Sequence, residues 1–287
     1  MPISSAPVAV CSWSLRASNP SELVERVRAT GARAVQLALT PLVERPAEWS
    51  GVFAALEAAG IEVASGMLET VGEDYSTLDA IRATGGVVPD ATWPATRARA
   101  AEVARLAGAH GIRLVTFHAG FIPHEPVSGQ GAERDRLFAR LREVASMFAA
   151  HGARIAFETG QESADTLAHA LDLLGDRTIG VNFDPANMIL YGMGDPVAAV
   201  RALAPRIAQV HIKDALPTKV AGTWGSEVRA GTGAVDWPAF IAALGAVPAT
   251  VRLAVEREAG DDRVGDIRAA LELLRTLAPQ GRAAIPS

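Results

Sequence analysis

Eight times along this chain an apolar run of strand length gives way to a longer stretch of helical periodicity. The runs lie at 8–14, 34–39, 61–68, 112–118, 154–158, 178–184, 207–213 and 251–256. The helical stretches lie at 21–30, 49–59, 95–110, 133–151, 164–174, 196–203, 237–244 and 262–277. A hydrophobic period that switches repeatedly between about 2 and about 3.6 is the mark of βα units and a parallel sheet. Eight such units close most economically as a single (β/α)8 barrel. An open doubly wound sheet is the alternative, but it usually carries a glycine-rich turn after its first strand. Residues 11–20 contain no glycine.

Local punctuation agrees with this reading. Gly31, Gly60, Gly111, Gly152, Gly175 and Gly245 each stand between a helix and the next strand, where a left-handed C′ residue is wanted. Asp195-Pro196 and Asp236-Trp237-Pro238 have the form of helix N-caps. Two connections are long, about 69–93 after the third strand and about 215–235 after the seventh. Both follow C-terminal strand ends, where barrels build their sites, so they are expected to be lids or pocket walls. Residues 1–287 read as a single domain, with a frayed tail from Pro279.

Composition removes several classes of function. With 49% hydrophobic and 21% charged residues the chain is not disordered. No window approaches the 18 consecutive apolar residues of a membrane span, and the start lacks the charged region of a signal peptide. A cytoplasmic protein is expected. The single cysteine, Cys11, excludes a disulfide framework and a Cys-rich zinc site. A net charge of −5 disfavours a nucleic-acid partner, whose phosphates want a basic face.

Alternation along the strands then sorts side chains into those facing the helices and those facing the axis. Phe117, Phe157, Phe183, Ile212 and Val255 should face the helices. Thr116 and His118, Ala156 and Glu158, Asn182 and Asp184, Gln209, His211 and Lys213, and Ala254 and Glu256 should face the axis. Four successive strands therefore end in an inward Glu158, Asp184, His211 and Glu256. Three carboxylates and an imidazole at one rim would repel strongly without a cation. With one divalent ion they form an oxygen-rich site that suits Mn²⁺ first, with Mg²⁺, Co²⁺ or Zn²⁺ as alternatives. Glu258 shares the parity of Glu256 and competes with it for the fourth position.

In order along the chain stand Phe157-Glu158-Thr159, Asn182-Phe183-Asp184-Pro185-Ala186-Asn187, Val210-His211-Ile212-Lys213-Asp214, Gly231-Thr232-Gly233-Ala234-Val235-Asp236-Trp237 and Val255-Glu256. This pattern resembles the xylose isomerase-like TIM-barrel superfamily, in particular its sugar phosphate isomerase/epimerase family, over about the whole chain. The resemblance implies a metal quartet at Glu158, Asp184, His211 and Glu256, with the two glutamates also moving a proton on opposite faces of a sugar. It implies a ketose or keto-sugar substrate, an enediolate intermediate and self-association as a homodimer or homotetramer. Two departures bear on the chemistry. The epimerases carry a histidine three residues after the strand-six aspartate, where this chain has Asn187. They carry an arginine shortly beyond the strand-seven histidine, where it has Lys213, Asp214 and Lys219. His-x-Lys-Asp is also similar to inosose dehydratases, so elimination of water is the alternative reaction.

Endonuclease IV shares the superfamily, but its three-zinc site needs further histidines that this chain lacks. A non-catalytic sugar-binding protein would not need two inward glutamates. Further candidates to meet a carbohydrate are His118, Asn187, Lys213 and Trp13, the last at the end of strand one. Lys213 is one of only two lysines beside 25 arginines. A metal-assisted reaction gives it oxygen recognition or acid catalysis in preference to a Schiff base. His124, in the loop after strand four, could reach the pocket. His110, His151 and His169 read as helix-end or surface residues, and Cys11 as a small core residue.

Overall fold

In the computed structural model, which describes residues 7–123, 131–220 and 222–277, the eight expected strands pair in parallel and close on themselves. They are β1 (Ala9–Cys11), β2 (Ala34–Ala38), β3 (Glu62–Met67), β4 (Leu114–Phe117), β5 (Arg154–Glu158), β6 (Gly180–Phe183), β7 (Ile207–Ile212) and β10 (Arg252–Val255). Hydrogen bonding runs through them in chain order, and β1 pairs β10 to seal the barrel. The chain folds as a (β/α)8 TIM barrel. Each strand is followed by helix: α1 (Pro20–Thr30), α2 (Thr40–Glu44) and α3 (Val52–Ala58), α4 (Leu78–Thr84) and α5 (Trp93–Ala109), α6 (Gly131–Ala150), α7 (Ala164–Leu174), α8 (Pro185–Leu190) and α9 (Pro196–Leu203), α10 (Trp237–Ala243), and α11 (Arg263–Leu277).

The two faces of each strand do what alternation requires. Phe117, Phe157, Phe183, Val210, Ile212, Leu253 and Val255 join one continuous hydrophobic layer with the helices. Phe117 meets Phe157 edge-on at 5.6 Å, and Phe183 packs on Phe240 of α10 at 5.9 Å. The inner face is built largely from small residues: Ala9, Cys11, Ala34 and Ala254 form one cluster, and Ala156 and Ala208 pack with Leu114 in another. Gly180 belongs to this interior, where an added Cβ would lie 2.8 Å from that of Ala208. Small side chains leave room for polar ones. Gln36, Ser65, Thr116, Asn182 and Gln209 are all buried.

Some boundaries differ from the sequence-based expectation, each for a local reason. β1 stops at Cys11, and Trp13–Leu15 forms a 3-10 turn closed by Arg16 at φ 51°. Trp13 therefore sits just beyond the strand. Gly31, Gly60, Gly111, Gly152 and Gly175 have the left-handed conformation expected of helix ends, but Gly245 does not. It lies inside the 3-10 turn Leu244–Ala246 that prolongs α10. Asp195 and Asp236 cap α9 and α10 through their carboxylates.

The long connections carry structure of their own. The first contains α4, capped by the Thr77 hydroxyl, and is tied down by Arg140 of α6. That guanidinium donates to the carbonyls of Val87 and Val88 and pairs with Asp90. The second contains a hairpin of β8 (Asp214–Leu216) and β9 (Ser226–Val228). The tail from Pro279 lies outside the described residues.

Candidate active site and metal centre

Strand geometry delivers Glu158, Asp184, His211 and Glu256 to one point at the C-terminal mouth of the barrel. Each offers a ligand atom lying within 4.8 Å of the others'. His211 Nδ1 is 3.3 Å from Glu256 Oε2, 3.6 Å from Glu158 Oε1 and 3.7 Å from Asp184 Oδ2. All four side chains are buried. Glu258 takes no place among them. It is exposed at the rim, because the chain leaves the barrel wall after Val255.

Each ligand candidate is held by its own neighbours. Asp184 is the N-cap of α8: its Oδ1 accepts from the backbone N–H of Ala186 (2.7 Å) and Asn187 (3.0 Å), which leaves Oδ2 turned to the centre. Glu158 accepts from Asn182 Nδ2 at 3.1 Å and from Asn187 Nδ2 at 3.0 Å. Glu256 accepts from the Trp13 indole at 2.7 Å and from Lys213 Nζ at 2.8 Å. Lys213 also donates to Glu258 Oε2 at 2.5 Å.

The charged side chains lie close enough to shift one another's protonation. Burial opposes the Lys213 ammonium, yet Glu256, Glu258 and Asp184 outweigh it and hold that group charged well above its ordinary range. That direction favours the ammonium over the neutral amine that Schiff-base chemistry requires. Burial likewise opposes a charged His211, but Glu256 and Glu158 draw a proton onto the ring. Burial would raise Glu256, and Lys213 with His211 more than reverses that. Asp184 is raised by burial against the pull of Lys213.

Whether this set fits a divalent cation can be judged from its unmet valences. Asp184 Oδ2 and His211 Nδ1 are fully buried, face each other and have no hydrogen-bond partner. Three carboxylates with one imidazole nitrogen are a hard, oxygen-rich donor set that a divalent ion satisfies. A metal ion fits here, and the cluster could hold one.

Above the cluster opens a cavity of about 680 Å³. Its walls include Trp13, Tyr75, His118, Asn187, Tyr191 and Trp224. Both long connections contribute, through Glu69, Glu73 and Tyr75 from one and Trp224 and Glu227 from the other. Trp224 meets Tyr191 edge-on at 4.8 Å. His118 lies 3.8 Å from Glu158 with its Nδ1 unpartnered. Of the expected carbohydrate contacts, His118, Asn187, Lys213 and Trp13 all line this cavity, though Asn187, Lys213 and Trp13 hold glutamates of the cluster. His124 lies outside the described residues.

Tyr75 and Trp224 stand in the long connections and Tyr191 at the C-terminal end of α8, positions where a lone aromatic residue carries no periodic signal in the sequence. The sequence likewise gives no sign of what Asp214 does. That carboxylate is buried and accepts from the backbone N–H of Ala215, Gly231, Gly233 and Val235 and from the Trp237 indole, at 2.9–3.2 Å. The Gly-Thr-Gly segment is thus an architectural partner of Asp214. A Cβ at Gly233 would come within 2.1 Å of Asp214 Oδ1.

Comparison with known proteins agrees with this architecture. A xylose isomerase domain protein from Planctomyces limnophilus is 32% identical, with a TM-score of 0.79 over 88% of this chain and 90% of that one. D-psicose 3-epimerase from Clostridium cellulolyticum H10, solved with D-tagatose, is 14% identical with a TM-score of 0.69 over 95% and 99%. The probable 3-DHS dehydratase involved in petrobactin synthesis from Bacillus anthracis is 16% identical, also with a TM-score of 0.69, over 94% and 99%. No curated protein sequence matches the chain. The profile of the xylose isomerase-like TIM barrel family matches residues 24–277. Barrel, strand-end cluster and profile agree, and the chain belongs to the xylose isomerase-like TIM barrel family.

Proposed function

We propose that this protein is a divalent-metal-dependent isomerase or epimerase of a ketose or related keto-sugar. The observation that carries the reading is the placement of Glu158 and Glu256 in one buried cluster with Asp184 and His211, beneath an aromatic-walled cavity. Glu158, Asp184, His211 and Glu256 would hold the ion, Mn²⁺ first by its donor preferences. An ion held there would supply Lewis-acid polarisation of the substrate's oxygens, which would make the neighbouring C–H easier to deprotonate.

The chain's own part is proton transfer and exclusion of water. One glutamate carboxylate takes the proton from carbon, and the same or the other glutamate returns it. Asn182 and Asn187 fix the carboxylate plane of Glu158, and Trp13 with Lys213 fixes that of Glu256. Trp13, Tyr75, Tyr191 and Trp224 offer apolar faces for the C–H side of a sugar and cover the cluster from solvent. Epimer and aldose–ketose products differ only in where the proton returns and which oxygens exchange.

A second reading, loss of water from the same intermediate, is favoured by His118. Burial opposes its charge, but Glu158 and Glu73 outweigh it and raise the ring's affinity for a proton. It could then donate to a departing β-hydroxyl. Incubating Mn²⁺-loaded enzyme with ketoses, keto-sugars and inososes in D₂O separates the two. Deuterium beside the carbonyl without mass loss is the expected result, and loss of water transfers the assignment to a dehydratase. Binding of sugar and metal with neither change across the panel overturns the enzyme reading in favour of a binding protein.

A further inference from the structure

Beneath the candidate metal centre lies a chain of side-chain amides that leads away from substrate and solvent. Gln36, Asn182 and Gln209, with Ser65 and Thr116 at its ends, are at most 1% exposed. Their donor and acceptor ends can be assigned by following the chain from Glu158, whose ionised carboxylate only accepts. Asn182 must turn Nδ2 to it (3.1 Å) and so turns Oδ1 to Gln209 Nε2 (3.2 Å). Gln209 then presents Oε1 to the Ser65 hydroxyl (2.6 Å) and Nε2 to Gln36 Oε1 (2.7 Å). Gln36 completes the order by donating Nε2 to Thr116 Oγ1 (2.8 Å).

The last acceptor in that order, Gln36 Oε1, stands 2.8 Å from His211 Nε2. A bare Nε2 would set two lone pairs against each other at that distance. Nε2 must therefore carry a proton, and the metal-competent neutral ring has its lone pair on Nδ1. Nδ1 is the nitrogen that faces Asp184, Glu158 and Glu256 and lacks a partner. Asn182 Nδ2, 3.1 Å from Nε2, is also a donor but gives a hydrogen to Glu158, so the shorter contact, to the Gln36 acceptor, sets where the ring proton lies. Cys11 Sγ also points its weak donor at Gln36 Oε1, at 3.4 Å. Three donors converge on that one oxygen, which stands nearer to Nε2 than the Cys11 sulfur does, at 2.8 Å against 3.8 Å.

We propose that Gln36, on β2 across the barrel from the cluster, is a positioning residue that fixes the tautomer and orientation of His211 for metal binding. It rests on the metal-centred reading above and extends it to a residue that touches neither metal nor substrate. Outer partners of ligating histidines typically contribute about 10–100-fold in metal affinity. Gln36→Leu keeps the volume and removes the acceptor. Gln36→Glu keeps the acceptor, and the Thr116 hydroxyl can rotate to donate to its second oxygen.

The experiment measures Mn²⁺ dissociation constants by chelator competition for the wild type and both variants. It adds the nitrogen-15 spectrum of histidine-labelled, Mg²⁺-loaded wild type, with His211 assigned by comparison with His211→Asn. The expected result is about 10–100-fold weaker Mn²⁺ binding in Gln36→Leu, affinity in the wild-type range in Gln36→Glu, and a protonated Nε2 beside a ligated Nδ1. A folded Gln36→Leu with unchanged affinity, or Gln36→Glu as weak as Gln36→Leu, overturns the role of Gln36 alone. If Gln36→Leu does not fold, the wild-type spectrum decides: a proton on Nε2 supports the assignment and a bare Nε2 overturns it. A wild type that binds no divalent ion overturns the metal-centred reading, and this inference falls with it.

Discussion

Glu158 and Glu256 each accept two hydrogen bonds, but from donors of different kinds. Glu158 is held by two neutral amides, and Glu256 by an indole and an ammonium. Both carboxylates are thereby oriented toward the centre without free rotation. Replacing either by glutamine keeps the shape and removes the base. Glu158→Gln and Glu256→Gln are each expected to lower turnover by about 10²–10⁴-fold, the usual contribution of a general base. Metal content must be measured alongside, since each glutamate is also a candidate ligand. Near-normal turnover by a metal-loaded variant would remove that glutamate from proton transfer.

At the scale of elements, the connection after β7 shows how one buried charge organises a wall of the cavity. Asp214 gathers four backbone N–H groups and the Trp237 indole, so residues 231–235 fold around a single carboxylate. β8 and β9 pair directly beside it, and Glu227 of β9 binds Arg257 and the backbone N–H of Glu258. Asp214→Ala would strand several buried donors, at a cost of about 3 kcal/mol or more. Urea unfolding should register that loss, and substrate affinity should fall as Trp224 and Glu227 lose their support. A change below about 0.5 kcal/mol, the range of ordinary surface substitutions, would show that the cage is not structural.

For the whole molecule the proposed metal centre implies linkage between metal and fold. A ligand at 100 times its dissociation constant stabilises the native state by about 2.7 kcal/mol. For a chain of this length that corresponds to a rise in Tm of roughly 4 °C. The effect should shrink as pH falls, because Glu256 and Glu158 draw a proton onto His211 that the metal must displace. Differential scanning calorimetry with Mn²⁺ and with chelator, at pH 8 and pH 5.5, tests both parts. Equal Tm values with and without metal at the higher pH would count against a resident ion.

The architecture was legible in the sequence because burial on a parallel sheet is a local, periodic requirement. Phe157 and Phe183 had to face helices, and their neighbours Glu158 and Asn182 then had to face the axis. The resemblance to a known family picked Glu256 over Glu258, two residues of equal parity. What periodicity leaves open is where a strand ends, and the departure of the chain after Val255 is what put Glu258 at the rim. The helix-capping role of Asp184, the cage around Asp214 and the reach of Gln36 to His211 were not legible. The first two are contacts within one strand–helix connection, which depend on how that connection folds; the last joins residues whose distance in space is set by closure of the barrel, since Gln36 and His211 are 175 positions apart in the chain and 2.8 Å apart in the fold. Pattern along the chain determined which side of each strand meets the axis. Only closure decided which of those side chains touch, because a hydrogen bond depends on separation across the barrel and leaves no period in the sequence.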